Sequence, residues 1–135
     1  MYFAEEVSST KFSLMWALLE NHDFFHEFYD AFFKSSPTIP EMFANTDFRK
    51  QKELIRQGIE LMILFAEGNV VARERLLQIA VIHKRFRLTR EMYDLWRVAL
   101  LQVLAKNDPE FSAEQQAAWN TVLSQGIEFF LEHST

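Results

Sequence analysis

Leu76-Leu77-Gln78-Ile79-Ala80-Val81-Ile82-His83 is the stretch that decides how the rest of the chain is read. Leu76, Ile79 and Ala80 stand seven, four and three positions before His83, the spacing that gathers side chains on one face of an α-helix. An imidazole on an apolar face must find a partner for each ring nitrogen, because a buried unsatisfied polar group is costly. A core hydrogen bond is one solution and a metal ion is the other. What faces the same interior decides between them.

Outward from this segment, every clear periodicity is helical and no run alternates as a strand does. Towards the N-terminus, Phe12, Met15, Trp16 and Leu19 form a stripe from Ser9 to about Glu20. Phe25, Phe28, Tyr29 and Phe32 share a face between about Asp23 and Ser35. Pro37 and Pro40 break that helix and leave room for a short turn before Phe43. Asn45-Thr46-Asp47 offers N-cap chemistry for a long helix to about Ala66, with Ile55, Ile59, Met62 and Ile63 inward. Gly58 inside it predicts a helix crossing closely there. Gly68-Asn69 ends that helix and the His83 segment follows. Beyond the irregular basic stretch Lys84-Arg85-Phe86-Arg87-Leu88, Thr89 caps a helix to about Lys106, with Met92, Trp96, Ala99 and Val103 on one side. After the Asp108-Pro109 turn, Ser112 and Gln115 form a capping box for a last helix carrying Trp119, Val122, Leu123, Ile127 and Phe130. Six to eight helices with short connections predict an all-α domain, packed helix on helix, over residues 1–135.

Composition narrows the function. The 135 residues carry a formal net charge of −5, which argues against a nucleic-acid partner. There is no cysteine, so disulfides and thiolate chemistry are excluded. The apolar runs are too short for a membrane span. The start, Met1-Tyr2-Phe3-Ala4-Glu5-Glu6, turns acidic at once and does not read as a signal peptide. A soluble, cytoplasmic protein is expected. The 14 phenylalanines suit packing around something flat and wide, and equally a merely bulky core.

Three polar side chains interrupt apolar stripes: Tyr29, Gln51 and His83. Gln51 precedes Ile55 by four positions and points where that face points; Tyr29 lies between Phe25 and Phe32. The ordered set Phe28-Tyr29-Asp30-Ala31-Phe32-Phe33, Ser36-Pro37, Phe43, Gln51, His83 and Tyr93 resembles the globin family. The likeness is nearest to bacterial single-domain globins and the haem domain of flavohaemoglobins, and it covers nearly the whole chain.

The resemblance implies a globin fold around a haem b pocket that binds oxygen reversibly at ferrous iron. It makes His83 the proximal iron ligand, with the other ring nitrogen held by a second group. Phe43 becomes the phenylalanine wedged against the haem plane, and Tyr29 and Gln51 a distal pair of donors to a partly negative oxygen. Ile55 sets the ligand pocket, Leu88 contacts the haem after the proximal helix, and Tyr93 contacts His83. A two-residue slip between Phe43 and Gln51 would hand the distal role to Lys52 or Leu54. Among small ligands, oxygen, nitric oxide and carbon monoxide are expected. With an electron-donating reductase, nitric oxide dioxygenase activity is an extension. A haem-based gas or redox sensor acting through a partner protein is the alternative.

The chain also departs from that family. The likeness to flavohaemoglobins is expected to stop at their globin part, with electrons supplied from elsewhere than a fused flavin or nicotinamide domain. Glu128 and Glu132 are out of register for the glutamate that, in flavohaemoglobins, completes a chain through the tyrosine to the proximal histidine. Arg90 stands where relatives commonly carry proline. Lys84, Arg85, Arg87 and Arg90 pair with haem propionates (Arg85 or Lys84 first), dock an electron donor, or form an ordinary solvated loop. His22 and His26 are four apart but lack an evident third ligand, and with His133 they read as solvated.

Overall fold

The computed structural model describes residues 3–134; Met1 and Tyr2 of the N-terminal reading lie outside them. Within that range the chain is all-α. It runs through α1 (Ala4–Glu20), α2 (Phe24–Lys34), α3 (Thr38–Met42), α4 (Phe48–Ala66) and α5 (Val70–His83). A 3₁₀ turn (Lys84–Phe86) leads to α6 (Arg90–Asn107) and α7 (Ala113–His133).

Short polar side chains start four of these helices. Asp47, Asn69, Thr89 and Ser112 accept from the backbone N–H of Arg49, Ala72, Met92 and Gln115. Each satisfies a donor that a helix N-terminus leaves orphaned, at about 1 kcal/mol per cap. Asn69 therefore opens α5 rather than merely closing α4. The Ser112–Gln115 box is formed on one side only, since the Gln115 Oε1 is buried without a partner.

α1 packs on α7, α2 on α6, and α4 lies between α5 and α7. Trp119, Phe24, Phe28, Ile59, Leu100 and Leu123 are sealed at the centre. The buried face of α1 is not the bulky stripe the sequence suggested. Val7, Thr10, Ser13, Leu14 and Ala17 turn inward, while Phe12 and Leu19 stay 57% and 61% exposed. The reason is room. Small residues let α7 approach, Ser13 Oγ accepts the Trp119 indole N–H at 2.8 Å, and the Thr10 hydroxyl donates to the Val7 carbonyl.

The close glycine crossing is likewise elsewhere. A Cβ on Gly58 would meet nothing within 4 Å, whereas one on Gly126 would come within 2.4 Å of Met62 Cε and 2.9 Å of its Cγ. α4 and α7 touch at Met62 and Gly126. No helix among the described residues is long and apolar enough to cross a membrane.

Candidate functional site

The Asp47 cap fixes where α4 begins, and so places Gln51 one turn in, facing α2. There the Gln51 Nε2 donates to the Tyr29 hydroxyl at 3.0 Å. Gln51, rather than Lys52 or the exposed Leu54, is the residue of this turn that reaches Tyr29. Tyr29 is 4% exposed. Burial pushes its pKa up to about 12, with the Gln51 bond pulling slightly the other way, so the phenol stays protonated at any ordinary pH. Since Gln51 supplies a proton to the oxygen, the phenol's own proton is left to donate. It has no acceptor among the described residues.

Three rings frame this pair. Tyr29 lies 5.7 Å from Phe43 and 5.6 Å from Phe48, and Phe33 lies 5.5 Å from Phe43 and 5.6 Å from Phe48, centroid to centroid. Edge-on and tilted contacts of this kind hold each ring's orientation. Phe48 is absent from the sequence-derived set, and Phe33 stands in it without a role. Phe33 falls one turn after Tyr29, and Phe48 directly follows the Asp47 cap. Ile55 is buried one turn beyond Gln51.

The surroundings of His83 are built from three helices. His83 closes α5, and its Nδ1 lies 3.0 Å from the Tyr93 hydroxyl of α6. Phe130 of α7 packs on both, 5.0 Å from the imidazole and nearly parallel to the Tyr93 ring at 6.0 Å. Burial lowers the His83 pKa, favouring the neutral ring. The Nε2 makes no hydrogen bond among the described residues, and an imidazole so arranged has one nitrogen fixed and the other free for a metal.

Behind Tyr93, the Ser134 hydroxyl lies close enough to offset part of the burial-driven rise in its pKa, and donates to the Phe130 carbonyl at 2.5 Å. The two departures seen in the sequence meet each other: Arg90 grips Glu128 through two bonds, of 2.7 and 3.3 Å. Leu88 is half-buried and lines a hollow of about 410 Å³ with Lys84, Arg87 and Ser134. Lys84 and Arg85 are exposed, on the 3₁₀ turn. His22 and His26 are also exposed, and no metal-holding cluster occurs among the described residues.

Residues 26–128 match the family model described as Globin. The chain belongs to the globin family. This globin is similar to the crystal structure of a protein from Pseudomonas aeruginosa PAO1, described as structurally highly homologous to a human hemoglobin. The identity is 32% over 96% of this chain and 98% of that one, with a TM-score of 0.89. No curated protein matches.

Globins as a family hold haem, and the side chains present here suit that group. The globin offers a neutral imidazole with an unengaged Nε2, a protonated phenol with an unassigned proton, and a set of aromatic rings beside it.

Proposed function

We propose that this globin holds haem b through the His83 Nε2 and binds oxygen reversibly. Ferrous haem, when bound, would supply the coordination position for a gas ligand. The chain's own residues do the rest. Tyr93 accepts from the His83 Nδ1–H, which fixes the tautomer that leaves Nε2 as the ligating lone pair. Phe43 and Leu88 wedge the macrocycle, and Ile55 limits the ligand space.

The Gln51–Tyr29 bond carries the reading. It presents the phenol as a polarised donor in a water-poor site, where a hydrogen bond to a partly negative ligand gains strength. One such bond, at about 1–2 kcal/mol, slows oxygen release by roughly five- to thirtyfold.

The proximal side favours a carrier's ligand over a strongly electron-donating one. Tyr93 faces a neutral serine hydroxyl, and Glu128 is engaged by Arg90. Oxidation of nitric oxide to nitrate then depends on an external reductase. The test is the absorption spectrum in ferric, ferrous and oxygenated states, beside that of Tyr29→Phe. A stable oxygenated form in the parent, and a short-lived one in the variant, is the expected result. Equal lifetimes would remove the distal role from Tyr29.

A further inference from the structure

We propose that the segment from Arg75 to Arg90 is a docking face for an acidic one-electron carrier protein, centred on Phe86 and the cations of Lys84, Arg85 and Arg87. The proposal rests on the haem reading above and assigns the partner that reading needs.

Charge carries the argument. Between residues 75 and 90 there are five cations and no carboxylate, a formal +5; the remainder of the chain is −10. Elsewhere Lys11, Arg56, Arg73, Arg97 and Lys106 each hold a carboxylate, as Arg90 holds Glu128, while Lys34, Arg49, Lys50 and Lys52 form no ion pair among the described residues but lie in segments that also carry carboxylates, such as Asp30, Asp47 and Glu53. Lys84, Arg85 and Arg87 form no ion pair among the described residues. Within this cationic rim lie Phe86 and Ile82, both 53% exposed. An aromatic centre inside a polar, charged rim is the layout of a protein–protein contact.

The polarity of the whole molecule selects the kind of partner. Because Arg90 holds Glu128, the face itself carries a formal +4 and the rest of the chain −9; a compact acidic protein is repelled by the rest and drawn to the face, which steers its approach and speeds encounter. An anionic membrane or a long nucleic acid would extend past the patch and meet Glu74, Glu91 and Glu132 around it. The face begins on the helix that ends in His83, so a docked carrier sits beside the residue that would hold the iron. The carrier loses one electron and ferric iron gains it, becoming ferrous; no bond is made or broken.

The test titrates isotope-labelled ferric holoprotein with an oxidised acidic ferredoxin, and separately a flavodoxin, following backbone amide shifts. Shifts confined to residues 81–90 and their surroundings are expected, with affinity falling roughly tenfold or more as salt is raised from low to physiological strength. Arg87→Glu and Phe86→Ser should each weaken binding severalfold at low salt with the haem spectrum kept. Lys34→Glu, which changes net charge equally from α2, should weaken it far less. Absent or scattered shifts with both carriers would overturn the proposal. So would equal loss in Lys34→Glu, or binding to anionic phospholipid vesicles with both carriers ignored. Failure to take up haem is visible in the spectrum before any titration, and would count against the function rather than the docking face.

Discussion

The Gln51 amide donates to the Tyr29 hydroxyl at 3.0 Å, so these two polar residues are arranged in series, not side by side. The phenol is the group with a proton left to give, and the amide is what aims it. Tyr29→Phe should therefore speed oxygen dissociation by roughly tenfold, and Gln51→Leu by only about two- to fivefold. In the Tyr29→Phe background, the Gln51 change should add almost nothing, because the residues act as a unit. Stopped-flow oxygen displacement measures all four proteins. A larger effect for Gln51 would reverse the order of the pair.

Tyr29 should also report its burial at alkaline pH. Its pKa is raised from the ordinary 10 to about 12 in the fold, so the unfolded chain releases that proton first. The stability this contributes is fully present below pH 10 and drains away as pH rises towards 12. Phenolate absorbance should show one late-titrating tyrosine in the parent that is absent from Tyr29→Phe. Ionisation of every tyrosine near 10 would contradict the buried geometry.

On the proximal side, Tyr93→Phe removes the partner of the His83 Nδ1. Haem should be lost faster, by roughly ten- to a hundredfold, and the iron–histidine stretching frequency should fall. Ser134→Glu puts a carboxylate behind Tyr93 and should raise that frequency. If neither variant moves it, the contact between His83 and Tyr93 has no influence on the ligand.

The two mid-helix glycines should respond with opposite signs. Gly58→Ala meets open space and should stabilise the protein by about 0.5–1 kcal/mol through helix propensity. Gly126→Ala drives a methyl against Met62 and should cost about 1–3 kcal/mol. Chemical denaturation of both variants decides it.

These glycines also mark what a sequence withholds. The helices and most of their caps follow from spacing and residue type, and the set of Tyr29, Phe43, Gln51, His83 and Tyr93 from the resemblance to the globin family. Which face of α1 is inside does not, since a hydrophobicity pattern favours Phe12 and Leu19 over Ser13 and Ala17. Only the indole of Trp119, over a hundred residues away, makes Ser13 a core residue. Gly58 and Gly126 cannot be told apart without knowing where α4 meets α7. Phe48 and Ser134 join the site through tertiary approach and left no local signature, and Phe33 and Phe130, both visible in the sequence, take their place at the site only through that approach. Arg90 and Glu128 looked like two unrelated departures, and become one interaction once α6 lies beside α7.

The central claim, that His83 holds haem for reversible oxygen binding, is tested most directly by one comparison. Haem-loaded parent and His83→Ala proteins are reduced, exposed to air and then deoxygenated, with the absorption spectrum followed throughout. The parent should take up one haem per chain and convert to an oxygenated spectrum that reverts when oxygen is removed, and His83→Ala should do neither. A parent that takes up no haem, or a variant with the same reversible spectrum, would contradict it.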